Sequence, residues 1–119
     1  MDFELSKDQQ DIKKAAREFA EGEFTEIAQI CDQEERYPRE LVSKAAELGF
    51  IGINLPEEYG GSGFGYLEKC LVTEEFWRVD PGLGSVLIAA TFGADMVDLY
   101  GTEAQKNKND RVQGHVCMI

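Results

Sequence analysis

The sequence predicts an all-α fold, a bundle of about six helices with one long glycine-rich connecting loop. Apolar residues recur three and four positions apart along much of the chain, as in Ile12, Ala15, Ala16 and Phe19. Capping residues precede several of these stretches, and glycine or proline separates them. No convincing alternation of period two, which is typical of half-buried strands, is present. The 119 residues, 43% of them hydrophobic, are sufficient for one domain with one core.

Two helices are predicted in the first third of the chain. Ser6 and Gln9 have the spacing of a capping box, in which each side chain accepts a hydrogen bond from the other residue's backbone N–H. A helix therefore begins after Ser6. Gly22 weakens this helix near its end, so a second helix is predicted from about Glu23 to Glu34.

A third helix and the long loop come next. Pro38 suits a first helical turn, where its missing N–H is not needed, and the helix is predicted to run from Pro38 to Leu48. Gly49 follows at the position where a left-handed residue commonly ends a helix. Residues 50–65 have four glycines among their last six positions, so they are predicted to form an irregular connection.

The second half of the chain predicts three further helices. Residues 66–79 show helical spacing of apolar side chains. The dipeptide Asp80–Pro81 provides an N-cap followed by proline in the first turn, which begins a long helix to about Tyr100. Because this helix is apolar nearly all round, we expect it to be the buried central helix. Thr102 and Gln105 form a second capping box and begin the last helix.

The composition excludes several classes of function. The net charge of −11 disfavours nucleic acid or an anionic membrane as the main partner. The longest apolar run is shorter than the roughly 20 residues of a membrane span, and the N-terminus does not resemble a signal peptide, so we expect a cytoplasmic protein. We predict no metal site, because the cysteines and the single histidine lack metal-type spacing: Cys31, Cys70, Cys117 and His115.

The residues by themselves indicate no catalytic or cofactor-binding site. The glycines of residues 60–65 do not match the spacing of a dinucleotide-binding or phosphate-binding loop. Glu74 and Glu75 are adjacent on a helix and point about 100° apart, so they do not form a catalytic pair. Asp95 and Asp98 lie on one helix face, which either reaches solvent or forms the polar rim of a ligand pocket.

Five segments of the chain form a recognisable series. They are LSKDQQDIKKAAREFAEGE at 5–23, YPRELVSKAAELG at 37–49, LGFIGINLPEEYGGSG at 48–63, EEFWRVDPG at 74–82 and YGTEAQK at 100–106. No segment is specific alone, but in this order they resemble the N-terminal helical domain of acyl-CoA dehydrogenases. The resemblance covers residues 1–106, and residues 107–119 form a divergent polar tail without the family's apolar continuation.

The resemblance implies an oxidoreductase of fatty acid metabolism that catalyses FAD-dependent α,β-dehydrogenation of acyl-CoA thioesters. It implies FAD as cofactor, acyl-CoA as substrate, an electron-transfer flavoprotein as partner, and a homo-oligomer. In this family most FAD contacts and the catalytic base come from other domains. We therefore expect the chain to be a truncated form that is inactive alone, does not bind FAD tightly and self-associates.

Two roles are implied for the N-terminal domain. It forms a wall of the acyl pocket at the start of the long helix, where Ser85, Leu87 and Ile88 are the candidate residues. The glycine loop and the first helices also face partner surfaces, so some apolar side chains there serve docking. The alternative hypothesis is a stand-alone helical interaction module without catalysis.

Overall fold

The computed structural model describes residues 2–109, which contain six α-helices and no strand. The prediction of an all-α fold is confirmed. A short 3-10 helix, Glu57–Tyr59, lies in the connection between the second and third helices. The six helices are α1 (Lys7–Glu34), α2 (Arg39–Glu47), α3 (Tyr66–Val79), α4 (Pro81–Ala89), α5 (Ala94–Tyr100) and α6 (Glu103–Asn109). Most of the predicted tail, with His115 and Cys117, lies outside the described residues, so the boundary at residue 106 stays a prediction.

Four phenylalanine rings form the centre of the core. Phe19 and Phe24 lie on α1, Phe76 lies on α3, and Phe50 follows the end of α2. Neighbouring ring centroids are 5.3 to 6.0 Å apart, within the range of favourable aromatic pairs. Because the rings come from three elements, they hold α1, α3 and the end of α2 together. The leucines Leu83 and Leu87 of α4 join the same core.

The prediction of two separate helices before residue 35 is wrong, because α1 continues through Gly22 as one helix of 28 residues. The predicted capping box is present: Gln9 N donates to Ser6 Oγ at 3.2 Å, and Ser6 N donates to Gln9 Oε1 at 3.0 Å. Gly22 has no atom within 4 Å of its Cβ position, so it faces open space. Burial of Phe19 and Phe24 on either side outweighs the roughly 1 kcal/mol that glycine costs in a helix.

The predicted end of α2 is confirmed. Gly49 has φ +80°. Gly49 N donates to Ala46 O and Phe50 N donates to Ala45 O, each at 3.0 Å, which is the hydrogen-bond pattern of a Schellman motif. This turn directs the chain from α2 into the glycine-rich connection and buries Phe50 beneath α1.

The prediction of one buried helix from residue 81 to residue 100 is also wrong. The chain leaves helical conformation after Ala89 and restarts at Ala94, beyond Gly93 with φ +92°. Asp80 caps α4 as predicted, because its carboxylate accepts a hydrogen bond from Leu83 N at 2.7 Å. However, α4 buries only three residues and α5 buries none. Apolar composition on every side predicted burial, but residues 2–109 supply no second layer of helices to cover the outer face.

Within residues 2–109, one stretch is long and apolar enough to cross a membrane by length and composition alone. It is Pro81–Tyr100, with a mean hydropathy of 1.4, and 22% of it is buried inside the protein. A single stretch of this kind is weak evidence, since core helices of other proteins meet the same criteria. The expectation that no membrane is involved stays a prediction.

Candidate functional site

A surface cavity of about 420 Å³ lies between α1, the end of α2 and the glycine-rich connection. Its volume falls within the roughly 300–1,000 Å³ range of ligand pockets. Leu48 and Phe64 lie at its edge with 58% and 43% of their surface exposed, although both are large apolar residues. Seven of the ten lining residues are apolar: Ile12, Ala15, Phe19, Leu48, Phe50, Ile53 and Phe64, with Glu18, Gly49 and Ser62 completing the set.

Backbone hydrogen bonds hold the glycine-rich side of the cavity in one conformation. Every amide from Gly60 to Gly65 donates to an oxygen of the protein: five donate to carbonyl groups, and Gly65 N donates to Glu68 Oε2 at 2.9 Å. Ser62 Oγ donates to Gly49 O at 2.9 Å, which ties the loop to the end of α2. The loop therefore presents Phe64 on a rigid frame.

The same hydrogen bonds decide against a phosphate site in this loop. A phosphate-binding loop needs backbone N–H groups that point outward and are free of internal partners, whereas all six amides here are used internally. The described residues thus do not fit the pyrophosphate of FAD at the glycines. Among residues 2–109 there is also no group of three or more His, Cys, Asp or Glu side chains placed to hold a metal ion.

A buried carboxylate lies on the other side of α1. The side chain of Glu75 is 2% exposed and pairs with Arg17, whose Nε and Nη2 lie 2.9 and 3.0 Å from its two oxygens. Arg78 Nε donates to Glu75 Oε2 at 3.1 Å. The hydrogen bonds from Arg17 lower the pKa of Glu75 to about 2 against the opposing effect of burial, and Arg78 assists. Glu75 therefore stays ionised and serves to join α1 to α3.

Sequence reasoning recognised that Glu74 and Glu75 diverge but did not recognise that Glu75 is buried. Glu74 is 63% exposed and pairs with Lys13 at 2.9 Å. The Glu-x-x-Arg spacing of Glu75 and Arg78 was the available signal. It is common on solvated helix faces, and the decisive partner, Arg17, lies 58 residues away.

The three predicted pocket-wall residues do not form one surface. Ser85 is exposed, and its hydroxyl donates to Pro81 O at 2.7 Å. Ile88 is half-buried on the same face of α4, whereas Leu87 is 1% exposed inside the core. Asp95, predicted either to reach solvent or to rim a pocket, accepts a hydrogen bond from Asn54 Nδ2 at 2.6 Å and pairs with Lys69 at 3.4 Å. It ties α5 to the rest of the fold.

The outer side of α5 is apolar, and the other residues within 2–109 do not cover it. Met96, Leu99 and Tyr100 lie on this side of the helix, three and four positions apart, and Phe92 lies in the turn that precedes it. We call these four residues the α5 face. Each is between 59% and 79% exposed: Phe92, Met96, Leu99 and Tyr100. A contiguous patch of this kind on a protein surface marks a site of interaction.

Comparisons with known proteins agree with this architecture. The family model described as "Acyl-CoA dehydrogenase, N-terminal domain" matches residues 6–109. Acryloyl-CoA reductase (NADH) of Anaerotignum propionicum is 41% identical over 106 residues, which are 89% of this chain and 27% of that protein. The short-chain specific acyl-CoA dehydrogenase of Clostridium acetobutylicum is 39% identical over 109 residues. This match covers 91% of this chain and 29% of that protein.

Two solved structures are similar in fold as well as sequence. One is described as the electron transferring flavoprotein of Acidaminococcus fermentans, studied for flavin-based electron bifurcation, and a chain in it matches with a TM-score of 0.86 and 41% identity. Butyryl-CoA dehydrogenase of Megasphaera elsdenii matches with a TM-score of 0.82 and 36% identity. Each match covers 96% of this chain and 31% of the other, so this chain spans less than a third of its relatives. The chain belongs to the acyl-CoA dehydrogenase family and carries its N-terminal helical domain.

Proposed function

We propose that the surface cavity is the docking site of an electron-transfer flavoprotein on this acyl-CoA dehydrogenase domain. The observation that carries the proposal is an apolar cavity of about 420 Å³ whose edge exposes Leu48 and Phe64. Large apolar side chains that rim a preformed cavity are typical of protein interfaces, where one aromatic or aliphatic side chain of the partner fills the pocket.

The rigid surroundings of the cavity support a docking role. The side of the cavity formed by α1 is a continuous helix, and the opposite side is held by the hydrogen bonds of Gly60–Gly65. A preformed cavity binds without the entropic cost of ordering a loop. The match to a chain in the Acidaminococcus fermentans structure supports an electron-transfer flavoprotein as the partner.

We propose that the complete enzyme would oxidise acyl-CoA with FAD, which would supply the hydride-accepting chemistry and would be held by residues outside this glycine loop. The described residues of this chain contribute binding surfaces to that reaction. Glu75 is held ionised by Arg17 and Arg78 and is buried among them, so it has no access to a substrate proton. We propose that the chain alone neither binds FAD tightly nor oxidises acyl-CoA, because the glycine loop offers no free amide to a phosphate.

Filling the cavity should prevent docking. Ala15 lines the cavity from the exposed side of α1, so Ala15→Trp places an indole ring in it without disturbing the core. We expect Ala15→Trp to weaken binding of the electron-transfer flavoprotein of Acidaminococcus fermentans by about tenfold or more, the effect of losing an interface anchor. Isothermal titration calorimetry with this chain measures the dissociation constant.

Gln29→Trp is the matched control for this experiment. It adds the same side chain at an exposed position of α1 that does not line the cavity. Gln29→Trp should bind like the unchanged chain. Equal affinity of the chain and its Ala15→Trp variant would show that the partner does not use the cavity.

We propose a second role for the outer side of α4 and α5 as part of the acyl-pocket wall. Ser85 and Ile88 lie on one side of α4, and the exposed ring of Phe92 follows in the turn after this helix. Leu87 supports this wall only from within the core, because it is 1% exposed. The support for this role is the α5 face, whose four side chains stay exposed among the residues that the structure describes.

We expect the α5 face to make the isolated chain self-associate. Exposed apolar patches of this kind measure a few hundred Å², and a second copy of the chain would bury about half of such a patch. Each Å² of apolar surface removed from water contributes about 25 cal/mol of favourable free energy to association. Analytical ultracentrifugation should show oligomers that the double variant Phe92→Ser/Met96→Ser removes. Phe3→Ser, which changes an equally exposed ring outside this face, should leave them unchanged. If the unchanged chain is a monomer at high concentration, the stand-alone interaction module becomes the better hypothesis.

A further inference from the structure

The edge of the cavity combines apolar surface with negative charge. Glu18 is the one charged residue among those that line it, and its side chain is 67% exposed. Its ion partner within residues 2–109, Lys14, lies 3.9 Å away and is 74% exposed, so their pair is weak and a competing cation displaces it easily. The lining residues include no lysine or arginine.

Two further carboxylates extend this charge on either side. Asp11 lies two helical turns before Glu18 on the same face of α1, and Glu47 directly precedes Leu48 at the end of α2. Both are exposed, and neither forms an ion pair among the described residues. A partner segment that inserts an apolar side chain therefore meets exposed carboxylates on both sides of the cavity, in a protein of net charge −11.

We infer that the cavity selects a cationic apolar segment, in which Glu18 binds the lysine or arginine next to the apolar side chain that enters the cavity. The inference rests on the proposed docking function and names the chemistry of the partner's loop. Complementary charge at the edge of an interface increases the association rate and rejects partners of like charge. An acidic or neutral loop of the same shape gains neither benefit at this site.

The first experiment tests the inference without any protein partner. NMR titrations compare 2-phenylethylamine with 3-phenylpropionate, which have a similar ring but opposite charge, and follow the amide signals of Ala15, Gly49 and Phe64. We expect the amine to bind at least about threefold more tightly at low salt, and Glu18→Gln to reduce this preference, with the charge of Asp11 and Glu47 remaining. Equal binding of the two probes, or tighter binding of the anion, overturns the inference.

The second experiment uses the electron-transfer flavoprotein of Acidaminococcus fermentans. At about 50 mM NaCl, Glu18→Gln should lower the association rate about threefold and Glu18→Lys by more, and both differences should shrink at about 500 mM NaCl. Glu26→Gln is the matched control, because it removes the same charge from an exposed position of α1 outside the cavity. It should change the rate less than Glu18→Gln does.

The two proposals fail in different ways. If Ala15→Trp prevents binding while Glu18→Gln and Glu26→Gln behave alike at both salt concentrations, docking holds and the selection of a cation by Glu18 is wrong. If Ala15→Trp binds normally while the two small probes still differ through Glu18, the proposed docking function is wrong and the chemistry of the cavity holds.

Discussion

Replacing Arg17 and Arg78 together by alanine should lower the free energy of unfolding by about 3 kcal/mol. Both guanidinium groups bind Glu75, whose carboxylate is 2% exposed, and removal of the partners of a buried charge costs about 3–5 kcal/mol. We expect the lower end of this range because Lys13 Nζ remains 3.7 Å from Glu75 Oε1. Small domains have a free energy of unfolding of only about 5–15 kcal/mol, so this loss should clearly lower the midpoint of urea denaturation at neutral pH.

The control for this prediction is Lys14→Ala, which removes one cation from the same helix. Lys14 and its partner Glu18 are both exposed, so this change should alter stability by less than about 0.5 kcal/mol. A loss of less than about 1 kcal/mol in the double variant would mean that water or Lys13 replaces the arginines at Glu75.

The pH dependence of stability provides a second measurement of the same cluster. The pKa of Glu75 lies near 2 in the folded protein, below its ordinary value of 4.5, so the folded state binds the proton less readily than the unfolded state. The stabilisation is complete above about pH 4.5 and is lost as the pH falls toward 2, by roughly 3 kcal/mol in total. In the Arg17→Ala/Arg78→Ala variant this acid-dependent loss should be much smaller, because the cause of the low pKa is removed.

Gly61→Ala should also destabilise the protein strongly, by about 1–3 kcal/mol. A Cβ atom at Gly61 would lie 2.1 Å from the carbonyl oxygen and 2.4 Å from the carbonyl carbon of Leu55. Because these are backbone atoms, the turn cannot relieve the overlap by rotating a side chain. The turn must open, and the hydrogen bonds from Gly61 N to Pro56 O and from Gly63 N to Leu55 O weaken with it.

Gly22→Ala is the matched control, since it makes the same substitution where the structure has space. Gly22 lies within α1 with nothing within 4 Å of its Cβ position, so alanine there should stabilise the protein by about 0.5–1 kcal/mol. Thermal denaturation of the two variants should give midpoints on opposite sides of that of the unchanged chain. A Gly61→Ala variant as stable as the unchanged chain would contradict the close approach of the turn to Leu55.

A further consequence of Gly61→Ala concerns the cavity. The turn carries Ser62 and Phe64, which form one side of it. We expect partner binding to weaken together with stability, because the cavity wall moves when the turn opens. Gly22→Ala should leave binding unchanged, since Gly22 is not among the lining residues.

The sequence by itself determined the features that depend on neighbouring residues. The capping box of Ser6 and Gln9, the cap of α4 by Asp80 and the left-handed Gly49 were all predicted correctly. Each is formed by hydrogen bonds or backbone angles within about five residues, so its cause is present in a short stretch of sequence. The five sequence segments that resemble acyl-CoA dehydrogenases, taken in their order along the chain, also sufficed to identify the family.

Only the tertiary structure decided which faces are covered. Gly22 interrupts the local helical preference, but α1 continues because Phe19 and Phe24 on its two sides enter one core. Glu75 resembles Glu74 in sequence, yet it is buried because Arg17 reaches it from 58 residues away. The same holds for the α5 face and the cavity. An apolar side chain is buried or exposed according to which other segments pack against it. Those segments can lie at any distance along the sequence, because the hydrophobic effect depends only on the apolar area removed from water.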